Sequence, residues 1–250
     1  MNTIAENTAA LSDKIARVCG EHGRDPQSVH LVAVSKMQSP ERVTAALAAG
    51  HRLFGENRVQ EAKAHWAGLR AQYPDLKLHL IGPLQTNKAR EAVALFDCIE
   101  TVDRPALADV LIKEMAKQNR KLPCFIQVNT GEEPQKGGVA PDGLPALLDH
   151  CRELKLDVRG LMCIPPVDEP PAPHFALLKK LASRHSLPDL SMGMSADFED
   201  AIALGATYIR IGTALFGERD HGGKTFSTPL ILSLEDLTHE HHRGKHRCRT

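Results

Sequence analysis

The feature that most constrains this chain is an alternation running along most of its length. Eight short apolar runs are each followed by a segment with helical period or helix-start residues. The runs are HLVAVSK (30–36), HRLFGEN (51–57), LKLHLIG (76–82), DCIETVD (97–103), PCFIQVN (123–129), DVRGLMCI (157–164), DLSMGM (189–194) and TYIRIGT (207–213). Runs of this length, rich in Val, Ile and Leu and bounded by turn residues, read as buried strands. Between them, SPERVTAALAAG (39–50) has Ser39 at the N-cap, Pro40 at the first helical position and Gly50 as the stop. DRPALADVLIKEMAKQN (103–119) and SADFEDAIALG (195–205), the latter capped by Ser195 and closed by Gly205, carry similar signals. Strands that each lead into a helix imply parallel pairing and right-handed crossovers. Eight such units predict an α/β fold, the (β/α)8 TIM barrel, for which roughly 250 residues is typical. An open doubly wound sheet would place a glycine-rich loop after its first strand; VSKMQSPER has no glycine there. The expectation is one barrel domain over residues 1–220, beginning with an amphipathic helix that carries Ile4, Leu11, Ile15 and Val18 on one side. A poorly ordered polar tail is expected over 221–250.

Charge narrows the class of partner. Acidic and basic residues balance at 31 each, so neither nucleic acid nor a membrane surface is an expected partner. No apolar run approaches the roughly 18 residues of a membrane span. The N-terminus lacks the basic-then-apolar order of a signal peptide. Six cysteines occur with no CxxC pair, and Cys124 and Cys163 lie inside apolar runs. Free, buried thiols and a cytoplasmic location are expected.

In a barrel of this kind, functional groups come from the carboxyl ends of the strands. The first run ends on Lys36, an ammonium group at the tip of a buried strand. No second lysine is paired with it, although Glu56, Asp103 and Glu132 are within reach of the mouth. The last two runs end in SMGMS, which supplies Ser195, and IRIGT, which supplies Gly212 and Thr213. Hydroxyls and amides at helix starts suit a phosphate, and such barrels often hold one after strands seven and eight. Strand eight of a closed barrel neighbours strand one. A phosphate cradle beside an amine fits a flat ligand with a phosphate at one end and an aldehyde at the other. Pyridoxal 5′-phosphate is such a molecule, and a lysine amine forms its Schiff base. Arg210 shares a strand face with Gly212. An arginine facing the pyridine nitrogen keeps it unprotonated, which weakens the ring as an electron sink.

The ordered set VAVSK, FGENRVQEA, HLIGPLQTNK, VNTGEEPQKGGV, GLMCIPP, LSMGMSADFEDAI and IRIGTALFGER resembles the pyridoxal phosphate homeostasis proteins, which are similar to the barrel domain of bacterial alanine racemase. The resemblance covers roughly residues 5–220. It implies a covalent Schiff base on Lys36, phosphate contacts from Ser195, Gly212 and Thr213, Arg210 near the pyridine nitrogen, and Asn57 and Met192 lining the ring. It also implies cofactor storage, buffering or delivery rather than turnover, in a monomer or weak dimer that serves apo-enzymes dependent on the cofactor. Racemisation needs a second base on the far face of the substrate carbon, and neither Tyr73 nor Tyr208 lies in a motif suggesting one. A weak amino-acid racemase and a cofactor-sensing regulator are the competing expectations.

Plainer roles compete at single positions. Lys36 pairs with Glu56 or snorkels outward; Ser195 and Asn57 only cap helices; Arg210 sits in a structural salt bridge. Lys136, in GEEPQKGG, reads first as a solvated loop lysine and second as an amine that accepts the cofactor by transimination. His79 and the Gln85, Asn87 and Lys88 group read as a loop packed over the site. His239, His241, His242 and His246 have chelating spacing, but a loose tail offers no preorganised metal geometry. No metal site is expected.

Overall fold

The computed structural model of the protein describes residues 3–66 and 68–217. The tail at 221–250, with its histidines and Cys248, lies outside the described residues. Eight parallel strands close into a barrel in sequence order. They are β1 (His30–Val34), β2 (Leu53–Glu56), β3 (Lys77–Leu80), β4 (Cys98–Val102), β5 (Cys124–Gln127), β6 (Val158–Met162), β7 (Asp189–Ser191) and β8 (Tyr208–Ile211). Closure is made by β1 against β8, where Leu31 pairs with Ile209 and Ala33 with Ile211. Each strand lies within one of the eight apolar runs and stops short of its end. The overhanging residues, Lys36 among them, therefore belong to the mouth.

The outer layer consists of α1 (Ile4–Glu21), α2 (Pro40–Ala48), α3 (Val59–Trp66), α4 (Ala89–Leu95), α5 (Pro105–Lys117), α6 (Leu144–Glu153), α7 (Pro171–Arg184), α8 (Phe198–Ala203) and the short α9 (Thr213–Phe216). Ser39 accepts the Arg42 amide, as its N-cap position predicts. The start of α1 is set by a capping box in which Thr3 and Glu6 satisfy each other's backbone N–H. Its buried stripe of Leu11, Ile15 and Val18 packs toward α2, α8 and α9.

Period-two alternation splits the strand residues into two sets. Ala33, Phe54, Leu78, Ile99, Ile126, Leu161 and Ile209 join the apolar layer beneath the helices. The alternate residues face inward and include polar groups: His79, Glu100, Ser191 and Arg210, all buried. A hydrogen bond from Ser191 on β7 to Glu100 on β4 spans strands that are not neighbours, so it crosses the barrel interior.

Candidate functional site

Lys36 follows β1 at the carboxyl end of the barrel and shares the inner face with Val32 and Val34. It is half-buried and has no hydrogen bond or ion pair among the described residues. Glu56 does not reach the mouth. Its fully buried carboxylate turns toward α3, where Oε1 accepts Ser35 Oγ at 2.7 Å, Trp66 Nε1 at 3.0 Å and His65 Nδ1 at 3.1 Å. Pairing of Lys36 with Glu56 is thereby excluded. Asp103 is likewise taken, by Arg104 at 2.5 Å.

The ends of β7 and β8 converge beside β1. Helix α8 starts at Phe198, with Asp197 rather than Ser195 in the cap position. The residues between form a turn in which the Met194 amide donates to Asp197 Oδ1. The Ser195 hydroxyl, freed from capping α8, accepts the Ala214 amide at 3.2 Å and so joins the two strand ends. Gly193, at φ 93°, makes that turn possible: a Cβ there would meet Ala201 Cβ at 2.5 Å. Gly212 precedes α9 and leaves bare backbone facing Val34, where a Cβ would lie 3.7 Å from Val34 Cβ. Thr213 is exposed at the start of α9.

Arg210 is buried beneath this mouth. It makes no direct ion pair among the described residues, contrary to the plain structural role considered for it. Its Nη1 donates to Ser191 Oγ at 2.7 Å and its Nη2 to the Cys163 carbonyl at 2.8 Å. Ser191 in turn donates to Glu100 Oε2 at 2.6 Å, and His79 Nδ1 lies 2.6 Å from Glu100 Oε1. Burial pushes the Glu100 carboxyl up, but His79, Arg210 and Ser191 outweigh it and hold it below the ordinary carboxylate range. Sequence reasoning missed Glu100 and Ser191. Alternation within DCIETVD and DLSMGM was the available signal, since it places both on the inward face.

Asn57 lies at the mouth, half-buried, beside a cavity of about 480 Å³ lined also by Arg58, Gln60, Gln85 and Lys88. It does not cap α3, which begins at Val59. Its backbone is fixed by Gly82, where a Cβ would stand 2.2 Å from the Asn57 carbonyl oxygen. Met192 is fully buried in the apolar layer under the helices, on the face opposite Ser191. Lys136 is not a freely solvated loop lysine. Its Nζ contacts Glu133 at 2.6 Å and the Pro165 carbonyl at 3.1 Å, tying the loops after β5 and β6 together. His79 points into the barrel rather than over the mouth and lines a cavity with Tyr208, at the end where the strands begin.

The five cysteines among the described residues are buried and free; burial raises their thiols, Cys163 to about 12 and Cys151 to about 11. No helix among the described residues is long and apolar enough to cross a membrane.

A lysine after β1 beside hydroxyl and amide groups after β7 and β8 makes this a (β/α)8 barrel with an amine and a phosphate-type cradle at its carboxyl end. The family profile described as alanine racemase, N-terminal domain, matches residues 7–220. The chain is 45% identical over 230 residues to the pyridoxal phosphate homeostasis protein of Pseudomonas aeruginosa, covering 89% of this chain and 98% of that one. It is 40% identical over 226 residues to the protein of the same name from Aquifex aeolicus, covering 86% and 98%. The chain belongs to the pyridoxal phosphate homeostasis protein family. Among solved structures, PipY of Synechococcus elongatus with PLP bound superposes with a TM-score of 0.74 at 40% identity, over 86% of this chain and 100% of that chain. An alanine racemase of Clostridium difficile, at 14% identity and TM-score 0.65, shares the fold.

Proposed function

We propose that this chain binds pyridoxal 5′-phosphate as a Schiff base on Lys36 and stores, buffers or delivers it without significant turnover. The observation that carries this is Lys36 itself, a half-buried amine without a counter-ion among the described residues, placed beside the converging ends of β7 and β8. Lysines are mostly exposed, and fully buried ones are paired; this one is drawn partly into the mouth, where a reversible covalent partner gives it a use. The bound cofactor supplies an electrophilic aldehyde and an electron-withdrawing ring. Ser195, Gly212 and Thr213 are assigned to its phosphate and Asn57 to the ring edge. Met192, expected to line the ring, lies instead in the apolar layer under the helices and is not assigned to it. Arg210 is assigned to the pyridine nitrogen, where a permanent cation disfavours protonation and limits carbanion chemistry.

Two features favour holding over turnover. Tyr208 lies at the opposite end of the barrel from Lys36, and burial beside Asp189 pushes its hydroxyl up to about 12. Tyr73 sits on the outer layer under Arg52. Neither supplies a second base at the mouth. The proposed binding unit is residues 1–220, acting in the cytoplasm as a monomer or weak dimer and passing cofactor to apo-enzymes.

An absorption spectrum of the purified protein with added cofactor tests this. A visible Schiff-base band is expected, and Lys36→Ala is expected to abolish it. Absence of the band in the parent protein overturns the proposal, and alanine racemisation well above background overturns its non-catalytic part.

A further inference from the structure

We infer that Glu100 is a positioning residue for the cofactor site, acting through Ser191 to hold the Arg210 guanidinium. This rests on the assignment of Lys36 and Arg210 to pyridoxal phosphate. Glu100 does not itself reach the mouth; it is fully buried on β4, across the barrel from β8.

The direction of every hydrogen bond in the line is fixed by chemistry. An ionised carboxylate only accepts, so His79 Nδ1 and Ser191 Oγ both donate to Glu100. The single hydroxyl hydrogen of Ser191 is then committed, leaving its lone pair to accept from Arg210 Nη1. Arg210 Nη2 is committed to the Cys163 carbonyl. One guanidinium donor is therefore held from below by a carboxylate two hydrogen bonds away and a second by the Cys163 carbonyl, and the buried positive charge is balanced without direct ion pairing. A direct Arg–Glu fork would occupy more of the guanidinium's donors. The intervening serine leaves donors free for a ligand while Glu100 behind it supplies the counter-charge. With Gln at position 100, an N–H turned toward Ser191 would oppose a hydroxyl that already faces an arginine donor. With Ala at position 191, Arg210 Nη1 and Glu100 Oε2 lose their link.

Cofactor titrations of the full-length protein, followed by the visible band, test the assignment. Glu100→Gln and Ser191→Ala are each expected to weaken apparent cofactor affinity about tenfold, the scale of one lost charge-assisted hydrogen bond, and to shift the band maximum. The double variant is expected to be no weaker than the weaker single one, because both break the same line. Ser191→Thr, which keeps the hydroxyl, is expected to retain the parent affinity and band. Variants with parental circular dichroism whose affinity stays within twofold and whose band does not move overturn the inference; Ser191→Ala decides the matter where Glu100→Gln does not fold. A parent protein with no band would instead show that the cofactor assignment had failed, an outcome separable from failure of the Glu100 role.

Discussion

Lys36 owes its position to the residue before it. Ser35 is fully buried and donates to Glu56, whose Oε1 also takes Trp66 and lies beside His65. One carboxylate oxygen thus pins the turn that presents the lysine to the last turn of α3. Glu56 Oε2 is buried with no hydrogen-bond partner. Replacing that oxygen with an amide would put an unsatisfied donor in the same place and remove the charge that strengthens the other bonds. Glu56→Gln is expected to lower unfolding free energy by about 1–3 kcal/mol in urea titrations. An unchanged midpoint would mean that this carboxylate does not hold the turn. A second residue-scale prediction concerns Gly82. A Cβ at 2.2 Å from the Asn57 carbonyl oxygen forces backbone to move. Gly82→Ala is therefore expected to cost about 1–3 kcal/mol, as overpacking does, and to disturb Asn57 at the mouth, read as weaker cofactor binding in the same titration.

At the scale of elements, α1 braces the segments that form the proposed phosphate cradle. Asn7 Nδ2 donates to the Leu215 carbonyl at 2.9 Å, at the end of α9. Arg24, just beyond α1, donates to the carbonyls of Ile202 and Ala206 around the end of α8. A four-residue helix such as α9 has little stability of its own, so its order depends on such ties. Asn7→Ala is expected to cost about 1 kcal/mol and to speed amide exchange at residues 213–217 more than elsewhere. Uniform acceleration would point to global destabilisation instead. The elements themselves were legible in the sequence, because apolar runs of four to five inward and outward residues are the strongest local signal a strand gives. Lys36, Ser195, Gly212 and Arg210 were legible as strand-end or inward residues for the same reason. Ser195 as a helix cap was not correct, because Asp197 offers an equal cap signal two residues later and tertiary contact with Ala214 draws the serine away. The pairing of Glu100 with Ser191 had no local signature at all: the two are 91 residues apart and meet only when the barrel closes.

Across the whole molecule, the apolar layer under the helices surrounds a barrel interior that holds a buried cation, Arg210, and a buried anion, Glu100, linked by one hydroxyl. Burying such charges is costly unless each is satisfied, so the stability of the barrel is tied to the ionisation of Glu100. Its folded-state carboxyl is held below the ordinary range. A depressed carboxylate contributes stability in full above the unfolded value, about 4.3 for glutamate, and loses it as pH falls through the lower folded value. Other carboxylates also titrate on that limb, and subtracting the unfolding free energies of Glu100→Gln from those of the parent isolates the Glu100 share. The difference is expected to be about 3–5 kcal/mol near neutral pH, as for breaking a buried pair. It should stay flat down to about pH 5 and shrink below about 4.3. Urea titrations at half-unit pH intervals measure it. A difference that stays constant through the acid limb would mean that Glu100 carries no charge in the native barrel, and Arg210 would then be a buried cation without the counter-charge assigned to it.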